Sequence, residues 1–279
     1  MISVVTWLTL LNMQTTKRTL LKMTAIALLA PTAHTASAQI SVGTAINRAG
    51  RFRALSQRCA KAYCQLQQEV MPDNARDVLA SAQRLIQVGF EDLGRAGLTG
   101  DSGKWLAAVQ VDFAALNGML GLQPTKEDVV KVSLQADRML ANADLLTISL
   151  ESTAKQGSAK LINTSGRQRM LSQRLAKNYF LGAAGVESKL SREQLVADRA
   201  EFKQNMAILA AAPVSTNPIR NELQLAQAQW VFFDNALGKK VDLESLRSVA
   251  TTSERLLEVN NNLTVLFEAA LKDVLGATG

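Results

Sequence analysis

The chain repeats itself, and this constrains its fold more than any other feature. Residues 46–64 read INRAGRFRALSQRCAKAYC and residues 162–180 read INTSGRQRMLSQRLAKNYF, with twelve of the nineteen positions identical at an offset of 116. Asn47, Gly50, Arg53 and Gln57 recur as Asn163, Gly166, Arg169 and Gln173, and the only two tyrosines, Tyr63 and Tyr179, also match. A fainter echo follows at an offset of 117: Asp137-Arg138-Met139-Leu140 against Glu254-Arg255-Leu256-Leu257, and Leu146-Thr147 against Leu263-Thr264. A one-residue change of spacing is what a loop insertion leaves behind. The pattern is that of a tandem duplication of a unit of roughly 115 residues.

Each unit reads as four helical stretches. Aromatic residues make up 5% of the chain against 47% hydrophobic residues overall, so Ala and Leu dominate and a β-sandwich is disfavoured. The stretches run near 42–70, 73–96, 102–121 and 125–156, then near 159–186, 191–212, 217–237 and 242–275. Pro72, Pro124, Pro213 and the glycines at 97, 103, 185 and 238 mark the joints, because Pro and Gly interrupt the helical ladder. Thr125 with Asp128 and Ser191 with Gln194 have the spacing of N-terminal caps. The expected fold is all-α, two tandem up-down four-helix bundles. Only Gly157 interrupts the run from 125 to 186, and one Gly costs about 1 kcal/mol without ending a helix. A long central helix shared by two bundles in line is therefore expected. The alternative is a break at Gly157 that folds the units side by side and brings Arg53 to Arg169. The domain division is 1–38, 39–157 and 158–279.

Residues 1–38 have the pattern of a signal peptide. Lys17, Arg18 and Lys22 are their only charges, Met23 to Ala30 form a short apolar core, and Ala36-Ser37-Ala38 suits signal peptidase. That core is far shorter than the ~20 residues a membrane span needs. Val4 to Leu11 is apolar too, so translation from Met13 is an alternative to Met1. The expectation is a periplasmic protein beginning near Gln39. Cleavage removes three of the 31 basic residues, none of the 24 acids, and His34, the one histidine. Without histidine a Ser-His-Asp or Cys-His triad is impossible and the commonest metal ligand is missing. No catalytic residues, metal or cofactor are predicted, and the protein reads as no enzyme. Cys59 and Cys64 are five apart on one helix, too far round it to pair with each other, and read as small buried hydrophobes. The basic character does not point to nucleic acid, since the leader supplies part of it.

The repeated helix carries two faces. At about 100° per residue, Phe52, Leu55, Cys59 and Tyr63 share one face, the expected core side. Ile46, Gly50, Arg53, Gln57, Ala60 and Cys64 share another, at the alternating spacing of a helix–helix seam. Arg51 and Arg58 fall on other faces, expected toward solvent. An Arg on a buried seam costs several kcal/mol unless an anion or carboxylate satisfies it. The glycine one turn earlier allows close approach of another backbone. The two segments hold nine basic residues and no acid, while the rest of the chain after cleavage holds 19 basic and 24 acidic. Positive charge is thus focused on the motif. Either an anionic ligand or acids on neighbouring helices would answer it. Asn260-Asn261-Asn262 lies within a helical stretch, where a local bend or a seam hydrogen bond accounts for it.

The string GRQRMLSQRLAK resembles the signature of the periplasmic domain of PilJ-type type IV pilus chemoreceptors. AINRAGRFR is similar to the motif of the NarX and NarQ nitrate/nitrite sensors. The nitrate-sensor resemblance implies a helical bundle that dimerises and holds nitrate between two motif helices through paired arginines, here Arg53 and Arg169. Planar nitrate suits the two parallel donors of a guanidinium fork. Gly50 and Gly166 would make room, with Asn47, Asn163, Gln57 and Gln173 as further ligands. Phe52 and Ala54 stand where the second copy has Gln168 and Met170, so the two copies are not equivalent. The overall reading is an exported sensory protein binding a small oxyanion such as nitrate or nitrite. It would associate with itself, a membrane receptor or a transporter. The alternative is an envelope interaction module of pilus type whose motif serves helix packing only.

Overall fold

The structure is a computed structural model that describes residues 40–121, 123–154 and 157–276. The proposed signal peptide lies outside these. The described residues form eight helices and no strand: α1 (Val42–Gln67), α2 (Pro72–Arg95), α3 (Gly100–Met119), α4 (Lys126–Thr153), α5 (Gly157–Ala183), α6 (Lys189–Ala210), α7 (Asn217–Leu237) and α8 (Leu243–Gly276). The fold is all-α. None of the described helices is long and apolar enough to cross a membrane.

Local chemistry sets the helix starts. The Ser41 hydroxyl accepts the Thr44 N–H and caps α1. Thr125 and Asp128 close a reciprocal capping box at α4. At α6 the box is Ser188 with Ser191, one turn earlier than the Ser191–Gln194 pair predicted, because Ser188 already offers the hydroxyl that the Ser191 N–H needs. α5 ends before Gly185, whose φ of 70° is a left-handed conformation that favours glycine.

The expected continuous helix over 125–186 is corrected. α4 stops at Thr153, where the Ala154 N–H bonds back to the Glu151 carbonyl, and α5 begins afresh at Gly157. The chain reverses there: Asn163 of α5 donates to Glu151, and Lys177 reaches Asp137, so α5 runs antiparallel to α4. α1 also runs antiparallel to α4, through Arg53–Asp144 and Gln57 to the Ala136 carbonyl. A continuous helix would bear only the small cost of one glycine, but it would leave two motif faces unburied. Folding back packs α1 directly along α5 and buries both.

α1 and α5 thus form the centre, running parallel, with α4 and α8 antiparallel to both. α2 lies on α1, α6 on α5, α3 on α4 and α7 on α8. The predicted core face of α1 is buried as read: Phe52, Leu55, Cys59 and Tyr63 are all in the interior. Phe90 links Phe52 and Phe113 in the first half, and Phe202 stacks on Trp230 at 4.1 Å in the second. Both cysteines are free and fully buried, with burial pushing their thiols up to about 12, as suits apolar filler.

Candidate anion-binding site

The seam between α1 and α5 brings together Asn47, Gly50, Arg53, Asn163, Gly166 and Arg169. Both arginines are 1% exposed. Each reaches across to the other repeat: Arg53 Nη2 donates to Asn163 Oδ1 at 2.8 Å, and Arg169 Nη2 donates to the Asn47 carbonyl at 3.2 Å. The glycines make room for guanidinium groups rather than for backbone. A Cβ on Gly50 would lie 3.0 Å from Arg53 Nη2 and 3.8 Å from Arg169 Nη2, and one on Gly166 would lie 3.1 Å from Arg169 Nη2 and 3.6 Å from Arg53 Nη2.

Gln57 and Gln173 do not join this cluster. They donate to the Ala136 and Ser253 carbonyls, tying α1 to α4 and α5 to α8. Both are fully buried, and the donor of each amide is taken up by this bond between helices.

Acidic partners repeat as well. Lys61 meets Glu254 as Lys177 meets Asp137, and Asn47 meets Glu268 as Asn163 meets Glu151. Glu254 and Glu268 stand 117 residues after Asp137 and Glu151. The pattern fails at one pair. Asp144 holds Arg53 Nη1 at 2.6 Å, but the residue 117 further on is Asn261, which accepts from Arg169 Nη1 at 3.1 Å. Asn261 Oδ1 also accepts from Arg51 Nη2 at 3.0 Å, so two guanidinium groups share one neutral oxygen. Arg169 Nε, buried, has no partner.

The neighbouring helices break the symmetry further. α6 supplies Glu201 to Arg167 and Asp198 to Arg174, the latter at 2.5 Å. At an offset of 116 the first repeat has Leu85 and Ala82 in those places. Arg51 therefore lacks the carboxylate that its counterpart Arg167 has.

The electrostatics follow. Burial lowers the Arg53 guanidinium pKa, and Asp144 partly restores it. Burial, then Arg51 and Arg53, push Arg169 well below the usual guanidinium range. Burial and Arg48 lower Arg51, with Glu268 and Asp92 opposing them. Arg169 is a buried cation beside two others; Glu268 acts on it through space, but no carboxylate is hydrogen-bonded to it among the described residues.

A cavity of about 510 Å³ opens on this spot, between α1, α2 and α8. Arg51, Arg169 and Asn261 form one end, and Leu55, Leu85 and Leu257 line its body. This corrects the placement of Arg51, expected toward solvent: α2 and α8 enclose it, and it lines the cavity. Arg58, likewise expected outside, is 12% exposed and bonded to Glu254. Asn261 was not read as a site residue. The offset of 117 that pairs Asp137 with Glu254 also pairs Asp144 with Asn261, and this was the available signal.

Residues 151–261 match the family model of the type IV pili methyl-accepting chemotaxis transducer N-terminal domain. The matched span runs from the end of α4 through the second motif helix to Asn261. No curated protein and no solved structure matches the chain. The family is a sensory, non-catalytic one, and the second half of the chain is similar to its domain.

Proposed function

We propose that the protein is an exported sensory module that holds a small oxyanion, with nitrate and nitrite as candidates, between Arg169 of the motif seam and Arg51 on the adjoining face of α1. One observation carries this reading. Arg169 is buried and bonded only to neutral oxygens while Arg51 and Arg53 crowd it, a cost that a bound anion would offset. The match to a chemotaxis transducer domain supports a sensory role. The output would be ligand-dependent association with a membrane receptor, a transporter or a second copy. Melting the exported protein in nitrate or nitrite tests it: at roughly 100 times Kd, binding adds about 2.7 kcal/mol. Arg169→Ala should remove the response. A nitrate response that survives in Arg169→Ala places the anion elsewhere.

Arg53 favours a second reading for its half of the seam. With Asp144 and Asn163 satisfying it, that half needs no ligand and serves helix packing, as an envelope interaction module would require. Loss of Arg53 without loss of an anion response would separate the two roles.

A further inference from the structure

We infer that the anion this site selects carries an apolar body: a monocarboxylate bearing an aryl or alkyl group, with its carboxylate between Arg51 and Arg169 and its body along Leu55, Leu85 and Leu257. This rests on the anion reading above and narrows the ligand's class.

The cavity is larger than a small inorganic anion needs. The cavity, at about 510 Å³, lies in the range of about 300–1,000 Å³ typical of small-molecule sites. An anion as small as nitrate would occupy only the corner at the arginines. Leu55, Leu85, Leu257 and Met71 give the remainder an apolar wall that gains by excluding water against an apolar surface, while Asn74, Thr251, Arg255 and Glu258 give it a polar side.

Free, enclosed positive charge sits at one end of the cavity. A dianion would need a second cation at the far end of the cavity. Arg58 stands there, but Glu254 already binds it through both Nε and Nη2. The same carboxylate also takes the Lys61 ammonium. Arg255 and Glu258 also line the cavity but are exposed to solvent, whereas Arg58, the enclosed cation of that end, is committed to Glu254. The arginines at the near end share Asn261 and retain unused donor capacity. The charge pattern therefore fits one anionic group and an uncharged remainder.

The two repeats differ at this place. Around α5, Glu201 and Asp198 stand against Arg167 and Arg174, filling the equivalent approach with protein carboxylates. Around α1 the same places hold Leu85, which lines the cavity, and the fully buried Ala82, and neither supplies a carboxylate. One half thus carries its carboxylates internally, and the other presents cations beside an apolar wall.

The experiment is titration of the exported protein with sodium acetate, sodium benzoate and sodium nitrate at constant ionic strength. Benzoate should bind at least tenfold more tightly than acetate or nitrate. Leu85→Glu, which supplies the carboxylate that Glu201 gives the other repeat, should abolish benzoate binding. Because that variant puts a charge in a partly buried position, the near-isosteric Asn261→Asp is tested beside it and should weaken benzoate at least tenfold. Arg192→Ala, at an exposed pair with Glu187, should leave all three affinities unchanged. Benzoate binding no tighter than acetate, with both lost in Arg169→Ala, overturns the apolar-body inference and leaves the anion site standing. Binding of none of the three anions overturns both. Benzoate binding that survives Asn261→Asp and Leu85→Glu overturns the assignment to this cavity.

Discussion

Asp144 and Asn261 are repeat counterparts that face counterpart arginines, yet one is a carboxylate and the other an amide. Asp144 neutralises Arg53 at 2.6 Å, whereas Asn261 gives Arg169 and Arg51 a single shared oxygen. The seam is built from duplicated sequence but is charged unequally. Asn261→Asp should therefore stabilise the ligand-free protein by about 1–3 kcal/mol, the contribution of charge-assisted hydrogen bonds that replace neutral ones. Chemical denaturation read by circular dichroism checks it. A destabilised Asn261→Asp would mean that Arg169 is already satisfied.

The repeat made much of this legible. Periodicity and the Pro and Gly joints placed eight helices within a few residues, and the wheel separated the core face from the seam. The path of the chain after Thr153 was not legible, because the penalty of one glycine says nothing about what a continuous helix would forgo. Here it would have forgone the burial of one motif face against the other. Arg51 was misread for a related reason. A wheel drawn on α1 alone knows nothing of α2 and α8, which close over that side of the helix. Asn261 is legible in the sequence, because the offset of 117 sets it in the place of Asp144. An asparagine in a helix simply draws less notice than the aspartate it replaces.

Glu254 bridges two cations, Arg58 and Lys61, the latter fully buried. Glu254→Gln should cost about 3–5 kcal/mol, because it strands charge inside the protein. Acid should act at the same point. Burial raises the Glu254 carboxyl, but Lys61 and Arg58 outweigh it and hold it down at about 2. The unfolded chain takes up that proton near the ordinary Glu value of about 4.3. The stabilisation is complete above that value and is lost as pH falls toward 2. Melting curves across this range should lose their slope in Glu254→Gln relative to the parent.

Gly89 of α2 lies against Phe52. A Cβ there would stand 2.7 Å and 2.9 Å from two Phe52 ring atoms, and that ring is fully buried against Phe90. Gly89→Ala should destabilise by about 1–3 kcal/mol through overpacking, despite the gain in helix propensity. Gly94, also in α2, has open space around its would-be Cβ, and Gly94→Ala should stabilise by up to about 1 kcal/mol. Opposite signs in parallel urea titrations are the expected result.

The export proposal makes a prediction about mass. The small-x-small site Ala36-Ser37-Ala38 places the new N-terminus at Gln39. Intact-mass analysis of periplasmic protein should give the chain starting there. A full-length species held in the membrane would contradict the proposal.

The two seam arginines should separate when each is removed. Arg53→Ala takes away the close partner of Asp144 and the donor to Asn163, leaving a carboxylate that is only 28% exposed with the more distant Arg167 at 3.4 Å. Breaking a pair of this kind should cost about 3 kcal/mol, the lower end for buried ion pairs, because Asp144 keeps some contact with water and with Arg167. Arg169→Ala strands no carboxylate. It removes a guanidinium whose pKa is depressed by burial and by Arg51 and Arg53, and it returns the Asn261 oxygen wholly to Arg51. The lost side-chain packing works against that relief, so the ligand-free variant should melt within about 1 kcal/mol of the parent, the range in which packing loss and charge relief offset each other. Adding anion should then widen the gap between parent and Arg169→Ala, while Arg53→Ala should respond to the anion in parallel with the parent. Equal losses of ligand-free stability in the two variants would show that both halves of the seam are held by the same internal ion pairing, and would remove the asymmetry on which the site depends.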